Sequence, residues 1–144
     1  NYRPWKYYSQ SKLADLLFSL ELQRRSSANG WGIASIGAHP GVSSTELFPN
    51  GQGGKTLTLR LAGLVMPMIS QSPAAGALPQ LYAASSPEAR PGGYYGPTGF
   101  RGMKGPVGVA KIAPQALDSA VAAELWQAAE RLTGVSYPAG KGAT

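Results

Sequence analysis

The segment YSQSKLADLLFSLELQRR, residues 8–25, runs through the break SSANGWG into GIASIGAHPG, and this succession restricts the fold more than any other feature. Leu13, Leu16, Leu17, Phe18 and Leu20 recur at helical spacing with Asp15, Glu21 and Arg24 between them, which predicts a helix over 7–25. Asn29-Gly30 supplies turn chemistry. In 33–39 residues alternate from one face to the other and stop at Pro40-Gly41, the pattern of a short buried strand. Helix, turn, buried strand and Pro-Gly together point to part of a parallel α/β sheet. Ligands in such sheets sit beyond the carboxyl ends of the strands, which puts residues 39–45 on the ligand side.

The rest of the chain is punctuated rather than continuous, with 19 Gly and 12 Pro among 144 residues, and that favours an α/β or mixed domain over a bundle. A hydrophobic content of 43% is enough for a core. PNGQGGKT (49–56) has Pro49 where a Walker loop needs glycine, so it reads as a mobile connection. LTLRLAGLVMPMI (57–69) reads as an apolar helical segment interrupted near Pro67. SPAAGALPQLYAASSPE is an Ala-rich helix with Ser72 as N-cap and Pro73 in its first turn. GGYYGP (92–97) reads as a short edge strand. A last helix over 114–133 carries Leu117, Val121, Leu125, Ala128 and Leu132 on one stripe and ends at Gly134.

Composition removes several function classes. The net charge of +6 permits contact with anions, but only Arg24 and Arg25 are adjacent, so no nucleic-acid arm exists. Without cysteine, disulfides and thiolate metal sites are excluded, and a single histidine, His39, rules out a multi-histidine centre. No apolar run is long enough to span a bilayer, which together with the absence of cysteine suggests a cytoplasmic location. The chain does not begin with Met, from which the expectation is a partial sequence.

Chemistry concentrates on few residues. Tyr8 and Lys12 stand one helical turn apart on one face. A phenol is ordinarily a weak acid, and a neighbouring ammonium favours its ionised form, so such a pair is competent for proton transfer. A packed tyrosine beside a solvated lysine is the plainer alternative. Asp15 lies a turn beyond Lys12 and reads as a surface acid, with pairing to that ammonium as the other option. His39 reads as a hydrogen-bonded structural residue and not as a base. Tyr94, Tyr95 and Phe100 are open between substrate contact and aromatic packing.

Tyr-x-x-x-Lys on a helix, then HPGVSSTEL with Pro-Gly-x-x-x-Thr after the next strand, resembles the second half of a short-chain dehydrogenase/reductase (SDR). GGYYGPTGF and ELWQAAERLTGV resemble the carboxyl-terminal region of its retinol-dehydrogenase-like and protochlorophyllide-reductase-like branch. The resemblance covers residues 7–135. It implies an α/β, partial Rossmann-like doubly wound fold, the C-terminal half of one domain without its N-terminal βαβ half, with catalytic helix 7–25, strand 33–39, lid region 45–70 and C-terminal helix 114–133. It further implies an NAD(P)-dependent oxidoreductase in which Tyr8 exchanges a proton with an alcohol or carbonyl oxygen. Lys12 would hold the nicotinamide ribose, Pro40, Gly41, Val42 and Ser43 would contact the nicotinamide end, and Thr45 would offer its hydroxyl to the carboxamide or the pyrophosphate. Ser43 departs from the aliphatic residue frequent in the family. The cofactor is NAD or NADP, with NADP slightly favoured; the substrate is a small molecule, lipophilic by the apolar 57–69 segment; and helix 7–25 is where many relatives form a homodimer. The glycine-rich dinucleotide turn and the serine preceding the tyrosine are not in these 144 residues, so the isolated segment is expected to be inactive. The rival reading is a non-catalytic SDR-like remnant or interaction module that binds no nicotinamide.

Overall fold

The structure, a computed structural model, describes residues 3–42 and 70–138. It comprises two compact units: Asn1–Gly37 with Arg90–Gly93 and Ile112–Thr144, and Ala38–Ala89 with Tyr94–Lys111. The Gly-rich stretch 49–56, the apolar segment 57–69 and the expected lid region, apart from Ser70, lie outside the described residues.

The first unit is built on α1 (Pro4–Asn29), longer at both ends than the periodicity suggests. Pro4 occupies the first turn, where its missing N–H is no loss, and Gly30 closes the other end in the left-handed region at φ 65°, donating its N–H to Ser26 O. The strand expected over 33–39 is regular only at Gly37–Ala38, β1. Its earlier backbone groups are taken by helix side chains instead. Ser26 Oγ donates to Ile33 O at 2.7 Å and accepts from Ile33 N at 3.0 Å, and Gln23 Oε1 accepts from Ser35 N at 2.8 Å. Ser35 O still accepts from Gly92 N at 2.8 Å, so this stretch pairs only in part with the segment leading into β2.

The helix expected over 114–133 divides into a 3-10 turn at Pro114–Leu117 and a helix, Ser119–Thr133, capped by Asp118, whose carboxylate accepts from Ala120 N and Val121 N. Its buried positions are Ala122 and Trp126; Leu117, Val121 and Leu132 are exposed, so the inward face is rotated one residue from the expected stripe. The cause is Trp126, whose ring stacks on Phe18 of α1 at 5.1 Å and lies 5.0 Å from Tyr137 and 6.4 Å from Trp31. One indole buries more apolar area than the leucines it displaces from the contact. Glu21, expected on the polar side, is 2% exposed. It is held by Arg24 through two bonds of 2.7 and 2.6 Å and by Arg25 Nε at 2.6 Å, and the Arg25 guanidinium lies 4.7 Å from the centre of the Trp126 ring. The one adjacent pair of arginines is therefore spent on the core.

The described strands form one mixed sheet in the order β1, β2 (Tyr94–Gly99), β3 (Lys104–Val109). Gly37 N donates to Gly93 O and His39 N to Tyr95 O, both at 2.9 Å, so β1 and β2 advance together in the parallel sense. The N–H needed next would come from position 97, which is proline, and the ladder stops. β2 and β3 are antiparallel, with Tyr95 opposite Val109 and Pro97 opposite Val107. The 92–97 region thus contributes a central strand among those described, not an edge. KGPVGV, which reads as loop, forms β3.

In the second unit a helix, Pro73–Ser85, begins as expected with Ser72 Oγ accepting from Ala75 N, and it packs on β2 and β3. Numbered in chain order, this helix is α2 and Ser119–Thr133 is α3. Tyr82 of α2 meets the buried Tyr95 ring at 5.0 Å.

Candidate active site

Tyr8 and Lys12 lie on successive turns near the start of α1, and both are exposed. The Tyr8 ring is 47% exposed and makes an edge contact with Trp5, centroids 6.1 Å apart. Its hydroxyl has no hydrogen-bond partner among the described residues, and its carbonyl accepts from Ser11 Oγ at 2.8 Å. Lys12 Nζ donates to Asp15 Oδ2 at 2.8 Å. Asp15 is thus a partner of the ammonium, correcting its reading as a plain surface acid. That hydrogen bond, then the Asp15 charge and to a lesser extent Tyr8, hold the Lys12 ammonium above the usual lysine value. With both side chains well over half exposed the pair is weak, and a better acceptor can take the ammonium from it.

The Pro-Gly bend belongs to the second unit. Pro40 is exposed, Gly41 has φ 66°, and Val42 is half-buried. A β-carbon at Gly41 would collide with Met103 O and with the Pro97 ring, so the glycine is required by the unit's own packing whatever else approaches it. Val42 N donates to Met103 O at 2.8 Å, and Val42 O accepts from Gln71 N at 2.8 Å. Gln71 Nε2 donates to Pro40 O at 2.8 Å. Gln71 escapes sequence reasoning because 31 residues separate it from Pro40 and only topology joins them. Ser43 and Thr45 lie outside the described residues.

His39 is structural. Its Nδ1 accepts from Gly41 N at 3.2 Å, and its ring lies 5.1 Å from that of Tyr94 and so close over Gly96 that no β-carbon could stand there. Burial pushes the His39 imidazole below the usual histidine value and raises the half-buried Tyr94 phenol above its own. Tyr94 and Tyr95 are accounted for by packing, while Phe100 is exposed, with φ 43°, in the turn between β2 and β3.

The depressed His39 value has a pH consequence. Above the ordinary histidine value of about 6.5 neither folded nor unfolded chain is protonated there, and the full contribution is present. As pH falls through that value and on through the lower folded one, the unfolded chain binds a proton first and stability declines. With one histidine in the chain, urea melts from about pH 7 to 5 isolate this group. Protonation also removes the acceptor for Gly41 N–H. His39→Gln should flatten the decline; an unchanged slope would assign it elsewhere.

A recess of about 420 Å³ lined by Gln23, Ser26, Gly30, Ile33 and neighbours lies at the far end of α1, about 22 Å or more from Tyr8 at 1.5 Å per residue. Among the described residues no cluster of acids and histidine could hold a metal ion, and no helix is long and apolar enough to cross a membrane.

No family model matches the chain. It is 38% identical over 133 residues to human retinol dehydrogenase 13, covering 91% of this chain and 37% of that protein. Polyprenol dehydrogenase of Mus musculus is 36% identical over 134 residues, 92% of this chain and 37% of the relative. A short chain dehydrogenase/reductase of Macrophomina phaseolina is 36% identical over 134 residues, 87% of this chain and 58% of the relative. The chain belongs to the SDR family. A crystal structure of an uncharacterised protein from Mycobacterium paratuberculosis superposes with TM-score 0.69 at 36% identity, over 96% of this chain and 42% of that one. SDR membership and the mixed sheet agree with a partial Rossmann-like α/β fold. The chain spans little more than a third of the length of the two named dehydrogenases.

Proposed function

We propose that the protein is an NAD(P)-dependent oxidoreductase that interconverts an alcohol and a carbonyl compound, with Tyr8 as general acid and base. The observation that carries this reading is a phenol hydroxyl with no partner among the described residues, one helical turn from an ammonium held only by an exposed carboxylate. A solvent-facing packing tyrosine needs no such neighbour.

Taken one unit at a time, the proposed site residues have the chemistry that a nicotinamide cofactor asks for. Lys12 can exchange Asp15 for ribose hydroxyls, since the exposed pair holds it weakly. The bend at 40–42 offers an exposed proline, and family resemblance assigns it to the nicotinamide end. Family resemblance assigns Ser43 to the same end and Thr45 to the carboxamide or the pyrophosphate. When bound, the nicotinamide supplies the two-electron exchange with the substrate carbon. The chain's part is proton transfer and orientation. In oxidation Tyr8 takes the proton from the alcohol oxygen, and in reduction it returns one to the carbonyl oxygen.

The relatives suggest the substrate class. Retinol and polyprenol, named in two of them, are apolar isoprenoid alcohols, and 57–69 is itself apolar. A lipophilic primary alcohol is the proposed substrate. Incubating the full-length protein with such alcohols and either nucleotide should produce reduced-nicotinamide absorbance. No reduction with NAD or NADP, and no oxidation of NADH or NADPH by the aldehydes, would favour the non-catalytic alternative.

A further inference from the structure

Gln71 connects two segments that nothing local would hold together. Its main-chain N–H donates to Val42 O at 2.8 Å, its Nε2 donates to Pro40 O at 2.8 Å, and its Oε1 accepts from Gly105 N at 3.3 Å. Gly105 is the second residue of β3, and Val42 N reaches Met103 O just before that strand. Val42 is thus held by backbone bonds to Met103 and Gln71, Gly41 by its N–H on His39 Nδ1, and the Pro40 carbonyl receives the primary amide of the Gln71 side chain.

We infer that Gln71 is a positioning residue for the proposed cofactor site, fixing the Pro40–Val42 bend on β3 so that its backbone meets the nicotinamide end of the dinucleotide in one geometry. The inference rests on the reading of the bend as a nicotinamide contact. The chemistry requires an amide. Pro40 presents an acceptor and Gly105 a donor, so the group between them must donate on one side and accept on the other. A carboxylate can only accept, which would set its charge against the Pro40 carbonyl, and a hydrocarbon satisfies neither side. Asparagine is one methylene short of spanning both. Proline contributes no N–H of its own, so beyond its fixed φ the carbonyl is the only backbone hydrogen-bonding group through which residue 40 can be held. Because Gln71 adjoins Ser72, the N-cap of α2, the helix start and the bend are anchored by consecutive residues.

The test uses full-length protein with Gln71→Met, which removes both side-chain bonds, and Gln71→Glu, which keeps the acceptor for Gly105 and loses the donor to Pro40. Two ligands are compared: the reduced dinucleotide that the wild type binds, and the matching ADP-ribose fragment lacking the nicotinamide ring. Displacing a bound group by about 1 Å can cost on the order of a hundredfold in rate, so moderate loosening should weaken dinucleotide binding about tenfold. Affinity for the ADP-ribose fragment and the melting temperature should stay where they are, and amide exchange at Gly41 and Val42 should quicken. Equal loss for both ligands, or loss of folding in both variants, would make Gln71 a stability residue and overturn the inference. So would unchanged exchange, or faster exchange with unchanged dinucleotide affinity. A wild type that binds no nicotinamide nucleotide fails before any variant is made, which separates failure of the underlying function from failure of the clamp.

Discussion

Tyr8→Phe in the full-length protein lowers turnover about a thousandfold while leaving nucleotide affinity nearly unchanged. The magnitude is the middle of the range for losing a positioned acid or base. The substitution is selective for physical reasons. Phenylalanine keeps the ring, the edge contact to Trp5 and a comparable helix propensity. What leaves is a hydroxyl with no partner among the described residues, so stability should move by less than about 0.5 kcal/mol. Lys12→Met makes the informative contrast. It removes the donor proposed for the ribose, which would place the nicotinamide against the Tyr8 hydroxyl, so it should impair nucleotide binding and turnover together. Asp15→Asn releases Lys12 from its surface partner and leaves both proposed roles in place, so its effect should be slight. Steady-state kinetics with dinucleotide binding measured separately distinguishes the three. Tyr8→Phe protein that turns over at the wild-type rate would remove Tyr8 from the chemistry and with it the proposed mechanism.

The parts legible in the sequence are those with a local cause. The positions of α1 and α2 follow from helical periodicity, a Ser-Pro start and, at the end of α1, an Asn-Gly stop; Tyr8 and Lys12 share a face because four residues make about one turn. What stayed hidden depends on contacts distant in the chain. β3 is KGPVGV, whose glycines and proline argue against a strand, yet its pairing with β2 is fixed by register across a turn that holds Phe100 and Arg101 at positive φ. Residues 33–36 alternate like a strand but are bound by Gln23 and Ser26 of α1. Glu21 looks like a polar-face residue until two arginines and an indole enclose it. The same holds for the candidate site: the tyrosine and lysine are a local motif, while Gln71 reaches the bend only through the fold.

Trp126→Ala should cost the first unit about 3–5 kcal/mol, the range for truncating a large buried aromatic. The ring is 2% exposed and is the common neighbour of Phe18, Trp31, Tyr137 and the Arg25 guanidinium. Removing it opens a cavity and also strips Arg25 of its aromatic face, leaving Glu21 to hold that cation alone. Trp126→Phe should be much milder, for a specific reason: the indole Nε1 is buried with no hydrogen-bond partner among the described residues, so the smaller ring discards an unsatisfied donor as it loses area. An unpaired buried donor costs about 1–3 kcal/mol, which offsets part of the lost burial. Urea unfolding followed by circular dichroism gives both numbers, and a cycle with Arg25→Met gives the coupling between ring and cation. If alanine costs less than about 1 kcal/mol, or if phenylalanine is as damaging as alanine, the aromatic cluster is not what joins α1 to α3. The effect should extend to function, since residues 4–12 of α1 are all exposed and take their order from the buried positions further along the helix. Loosening α1 at Leu17 and Glu21 would then lower turnover without touching the hydroxyl or the ammonium, and Trp126→Ala should do so increasingly as temperature rises, whereas the loss in Tyr8→Phe is present at every temperature.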